Sequence, residues 1–234
     1  MTMKAAPSIL WSVIFCVGLA RNLVAAPEDV DHLIPVTREE LEPTLQRLLE
    51  RKLFLSSAND GRIIVMPPGI HGEYSVAIHS DPASSTGTTI TYTEAARNIS
   101  APVVADLVQG ISPKDERGVL VRRLNVPIEN SIAAGVSSVL RQSVGRAHPL
   151  PKIGWIATDI VLDGTSYWFL ANGRSSKPMQ GLLGPTMKGR YTDGLRRLTQ
   201  HLVDYCLAKA DGRTEMSTKI RNDVAQLRRI GRTN

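Results

Sequence analysis

WIATDIVLDGTSYWFLA, residues 155–171, is two apolar runs separated by Asp163-Gly164. That dipeptide is the signature of a two-residue type I′ hairpin turn. The turn pairs Leu162 with Thr165, Ile160 with Tyr167 and Thr158 with Phe169. The other face then carries Val161 with Ser166 and Asp159 with Trp168. Both faces are largely apolar. This places the hairpin in the middle of a sheet, with helices packed on at least one side.

Further strands precede this hairpin. Residues 62–66 (RIIVM) form a short apolar run before the breaker Pro67-Pro68-Gly69. Over 73–79 the pattern alternates, with Tyr74, Val76 and Ile78 on one face and Glu73, Ser75, Ala77 and His79 on the other, as in a half-buried strand. Residues 88–93 (TTITYT) supply a partner, and 62–93 reads as a three-stranded antiparallel meander. Residues 119–126 (VLVRRLNV) add another strand.

Helical spacing appears at 38–54, 128–145 and 193–209, and again around Met216, Ile220, Val224 and Leu227. Thr37 and Glu40 form a capping box for the first of these. Ser100 is placed to cap a short helix through 108. The expected fold is α+β: a single domain over 37–234, with a mostly antiparallel sheet of five to six strands and three to five packed helices. Residues 27–36 read as an extended linker. Residues 172–192, rich in glycine and proline, read as a long loop.

The N-terminus has a different character. Lys4 precedes a charge-free run at 5–20 (AAPSILWSVIFCVGLA), followed by Arg21 and small residues to Ala26. A positive start, an apolar middle and a small-residue end describe a signal peptide over 1–26. The run is shorter than the roughly 20 residues that span a bilayer, although Leu23 to Ala26 leave an uncleaved anchor as the rival reading. Cleavage after Ala20, Ala25 or Ala26 fits the small-residue rule. The expected destination is secreted or periplasmic. Cys16 leaves with the leader, so Cys206 is the single remaining cysteine of the 2 in the chain. No internal disulfide can form, and a core of this size needs none. Cys206 falls on an apolar helical stripe and reads as an inert buried thiol.

The net charge of +6 is uneven: residues 188–234 hold 11 Lys and Arg against 5 Asp and Glu, and the rest is neutral. A localised basic surface attracts polyanions. Arg221, Arg228 and Arg232 fall within roughly 40° of one another at about 100° per residue and are expected opposite the Met216/Ile220/Val224/Leu227 stripe. Lys188 and Arg190 add charge from the preceding loop. The partners this implies are an anionic envelope component or an acidic protein. Nucleic acid is disfavoured, because the basic helix lacks interleaved aromatics. Membrane contact after signal removal would be peripheral at most.

Catalytic signals are sparse. Nucleophile elbows, phosphate loops and dinucleotide glycine patterns are absent, and nothing in the sequence implies a cofactor. No histidine pair has metal-ligand spacing. His71, Glu73 and His79 could converge only if the strand edge folds back, and a solvated strand face is the simpler reading. Asp159 opposite Trp168, with Asn172 and Arg174 nearby, would suit an exported hydrolase with a site near the 157–174 hairpin end, since a buried carboxylate beside an indole is a candidate general acid. The balance favours an exported, non-catalytic binding module that uses its basic C-terminal helices at 193–230.

Overall fold

A computed structural model describes residues 31–35, 43–53, 60–68, 71–80, 87–100, 102–103, 106, 109, 119–148, 164–172, 178–185 and 187–233. The stretch at 1–26 expected to be a signal peptide, and Thr37 and Glu40 expected to form a capping box, lie outside the described residues. Seven strands form one sheet: β1 (Ile34–Pro35), β2 (Gly61–Met66), β3 (Tyr74–Ser80), β4 (Thr88–Ala95), β5 (Val121–Pro127), β6 (Ser166–Asn172) and β7 (Pro178–Leu183). Among the described residues the helices with both bounds placed are α1 (Pro43–Leu53), α2 (Asn130–Gly145), α3 (Arg190–Leu207) and α4 (Arg213–Thr233). The strand order is β1-β7-β6-β2-β3-β4-β5, and every pairing is antiparallel.

The meander forms as expected and continues one strand further, through β5. β6 is central, as its apolar faces require, but its partners differ from the hairpin register. Trp168 lies opposite Ile64 of β2 on one edge and Leu182 of β7 on the other. A strand has only two edges, and both edges of β6 are taken. The described neighbours of β6 are thus β2 and β7. Residues 149–163, Asp159 included, lie outside the described set.

The sheet has seven strands rather than five or six because two were hidden. β7 lies inside the stretch read as a loop. Its Gly181 admits the Leu33 side chain: a Cβ there would stand 2.8 Å from Leu33 Cδ1. β1 lies inside the stretch read as a linker. Residues 31–35 are extended, as expected, but also docked, with Leu33 1 % exposed and Ile34 paired to Leu182.

Two apolar layers hold the sheet. Ile63, Val65, Val76, Ile78, Ile90 and Phe169 pack against α2, α3 and α4. Ile64, Met66, Ala77, Trp168 and Leu170 pack against Leu45, Leu48, Leu49 and Leu53 of α1, together with Ile99, Val103 and Val119. Polar ties fix the helices to the sheet: Ser75 Oγ donates to Leu53 O at 2.8 Å, and Tyr205 Oη donates to Pro127 O at 2.8 Å. No helix among the described residues is long and apolar enough to cross a membrane.

Candidate functional site

The described chemistry concentrates where α2 ends, α3 begins and α4 ends. Asp31, His32, Ser143, Arg146, His148 and Tyr191 line a cavity of about 460 Å³, with Leu33 and Gly231 completing the wall. That volume lies within the range of small-molecule sites.

Each wall group has a local cause. The Asp31 carboxylate accepts from Tyr191 N at 2.7 Å and Thr192 N at 2.9 Å. It thereby caps α3, whose own N-cap position is Gly189 and offers no side chain. A Cβ at Gly189 would lie 2.3 Å from Asp31 Oδ1, so glycine is what lets the carboxylate in. The N-terminus of α3 is satisfied internally and is not itself an anion site. Ser143 Oγ donates to Val139 O at 2.8 Å and lies 2.7 Å from Tyr191 Oη. The serine proton is committed to Val139, so Tyr191 donates to Ser143 and keeps lone pairs alone for any further contact.

His32 and His148 stack edge to face, with ring centroids 5.8 Å apart. Burial, followed by repulsion from His148, lowers the His32 pKa below its ordinary 6.5. His32 Nε2 is buried with no hydrogen-bond partner. Arg146, the exposed residue that follows α2, supplies positive charge.

The same end gathers the basic residues. Tyr191 and Gly231 line the cavity, and their sequence neighbours Arg190 and Arg232 are exposed. Lys188, Arg228 and Arg229 are also exposed. The Arg221/Arg228/Arg232 triple is exposed, but it does not sit opposite the apolar stripe. α4 nests between α2 and α3, burying Ile220, Asp223, Val224 and Leu227. That wide buried arc turns the arginine side toward α2. Arg221 pairs with Glu129, and a Cβ at Gly135 of α2 would approach Arg228 Nη2 to 4.0 Å. Arg221 lies about 15 Å along the helix from Gly231 and is separate from the cavity end.

The other candidates resolve differently. Glu73 is 0 % exposed, and its carboxylate accepts from Ile99 N at 2.5 Å and Ser100 N at 2.7 Å and from the Ser100 hydroxyl. It caps the helical turn that starts at Ser100. His71 precedes β3 and His79 lies within its far end, opposite Thr89, roughly 25 Å away at about 3.4 Å per residue, so the two do not converge with Glu73. No group of three or more His, Cys, Asp and Glu among the described residues could hold a metal. Trp168 is 1 % exposed and faces the α1 layer. Asn172 ends β6, while Arg174, like Asp159, lies outside the described residues. Burial pushes the Cys206 thiol up to about 12, which keeps it protonated and inert.

His201 Nδ1 lies 2.6 Å from Asp223 Oδ2, and Arg197 Nε donates to Asp223 Oδ1 at 2.6 Å. The pair resembles a catalytic dyad. Among the described residues, however, no hydroxyl or thiol is hydrogen-bonded to His201, and Asp223 is shared with Arg197 as a tie between α3 and α4. The sequence reading missed the cavity, because its walls come from residues 31–33, 143–148, 191 and 231. Arg190 and Arg232, one position from two of those walls, were the signal available. Comparison with protein-family models, with curated proteins and with solved structures gave no match.

Proposed function

We propose that this chain is an exported binding module that captures an anionic partner through the basic end of its helical layer. The observation that carries this reading is the gathering of Lys188, Arg190, Arg228, Arg229 and Arg232 at one end. None of them has a hydrogen bond or ion pair to another described residue. By contrast, Arg221 is offset by Glu129 and Arg197 by Asp223. Unpaired charges of one sign raise the local potential and attract polyanions in a salt-dependent way. The leader at 1–26 supports an extracytoplasmic setting, where anionic envelope polymers and headgroups are the available partners.

Heparin chromatography tests the reading. The triple variant Arg228→Gln, Arg229→Gln, Arg232→Gln should elute at clearly lower salt than the parent. Arg221→Gln should elute close to the parent, because its charge is already offset by Glu129. Equal loss in both variants would reduce the effect to net charge, and no loss in the triple variant would remove the basic end as the binding surface.

A further inference from the structure

We infer that the cavity between Asp31, Arg146 and Tyr191 binds a phosphomonoester group, accepting its P–OH proton as well as its negative oxygens. This rests on reading the same end of the molecule as anion-binding, and it adds the chemical class and the residues that select it.

The wall mixes one cation with acceptors. Arg146 contributes a guanidinium, which suits a phosphate oxygen. Tyr191 Oη has given its proton to Ser143, whose own goes to Val139 O at 2.8 Å, and it can receive a hydrogen bond but not give one. Asp31 places a carboxylate in the same wall, which opposes a fully ionised guest and favours one that carries a proton. His32 Nε2 lacks a partner, while the ring is hydrogen-bonded to the His148 backbone, which leaves Nε2 as an acceptor in the neutral ring, the complement of P–OH.

A phosphomonoester near neutral pH has its second pKa near 6, so a P–OH form is populated. A sulfate and an ionised carboxylate have only acceptors to offer. A cavity of about 460 Å³ exceeds a lone phosphate group several times over, leaving room for the organic part of an ester. Arg190 and Arg232, beside the cavity, would hold charge further along the ligand. The ligand is either a soluble phosphomonoester or the phosphomonoester headgroup of a lipid; both present the same P–OH.

The test is thermal unfolding and calorimetry of the folded chain with sodium phosphate, glycerol 3-phosphate and sodium sulfate, at matched ionic strength and pH 6.5. Saturable stabilisation by the two phosphates is expected, with sulfate weaker by about tenfold, the weight of one charge-assisted hydrogen bond. Arg146→Gln should abolish binding of both phosphates. Tyr191→Phe should bring phosphate and sulfate closer together, since it removes an acceptor and leaves Ser143 bonded to Val139; circular dichroism verifies that both variants are folded. Equal binding of phosphate and sulfate by the parent, or phosphate binding undiminished in Arg146→Gln, would overturn the assignment.

Vesicles identify the source. Preference for phosphatidate over phosphatidylglycerol (a diester without P–OH), competed by glycerol 3-phosphate, assigns the site to a headgroup. Soluble binding with no vesicle preference assigns it to a free phosphomonoester. Unchanged heparin retention in the Arg228/Arg229/Arg232 variant with phosphate binding intact would remove the surface reading and leave the cavity standing.

Discussion

Asp31 and Glu73 do the same work in different surroundings. Each closes a helix start from a distant part of the chain, Asp31 from 160 positions before Tyr191 and Glu73 from 26 before Ile99. Their burial differs, and burial sets the cost of removal. Glu73 is 0 % exposed, and truncation strands two buried amides that water cannot reach, while the Ser100 hydroxyl keeps Asn98 Oδ1 as an acceptor. Glu73→Ala should cost about 3 kcal/mol, from about 1–3 kcal/mol for each stranded donor less the relief of not burying a charge. Asp31 is half-buried, and the amides it caps can turn to water, so Asp31→Ala should cost about 1 kcal/mol, the usual weight of a lost cap. Urea denaturation gives both numbers, and a reversed order would refute the burial argument. Neither role was legible beforehand. Capping signals are read over four residues, and these caps arrive across the fold. Ser100 was correctly placed at a helix start, but the group that organises that start is Glu73.

At the scale of elements, α4 is seated through glycines on its two neighbours. A Cβ at Gly194 of α3 would stand 2.8 Å from Leu227 Cδ2, and Leu227 is 1 % exposed with no room to retreat. Gly145, the last residue of α2, has Met179 Cε at 4.0 Å as its nearest contact. The two substitutions to alanine should therefore differ in sign. Gly145→Ala gains roughly 0.5–1 kcal/mol by restricting the unfolded chain. Gly194→Ala has the same propensity gain but pushes α3 from α4, at an overpacking cost of about 1–3 kcal/mol, for a net loss. Thermal melts of the two single variants decide it, and stabilisation by Gly194→Ala would refute the tight seat. Elements with a strong period were legible. α2 matches its expected end at Gly145, and β2, β3 and β4 form the meander that 62–93 implied. The failures share one cause: where partners are non-local, local pattern misleads. Asp163-Gly164 is a sound turn signal, yet β6 takes β2 and β7 as neighbours. β7 contains Pro178 and Gly181, which local rules read as breakers, although Gly181 is required by Leu33 arriving from β1.

For the whole molecule, the titratable groups that burial perturbs define a stability plateau. All five tyrosines are raised by burial first: Tyr74 to about 12, with Tyr92, Tyr167, Tyr191 and Tyr205 also above the ordinary 10.0. The Cys206 thiol rises from 9.0 to about 12 for the same reason. In each case the folded chain holds its proton to higher pH than the unfolded chain does. As pH climbs past 9, where the unfolded thiol begins to ionise, and then past 10, the unfolded state binds fewer protons and stability falls with rising pH. His32 acts on the other side. Its pKa is lowered below 6.5 by burial and by His148, against Asp31, which raises it. The unfolded imidazole therefore takes a proton first as pH falls below 6.5, and stability falls with it until the folded ring also charges. Unfolding midpoints should be flat from about pH 7 to pH 9 and decline on both sides. His32→Gln should flatten part of the slope between pH 6.5 and 5, because glutamine has no proton to gain, while leaving the alkaline limb unchanged. Cys206→Ala should soften the onset of the alkaline limb near pH 9 and leave the acid limb alone. If the His32 variant instead keeps the full acid slope, the loss originates in carboxylates elsewhere, and the cavity histidine does not report on pH.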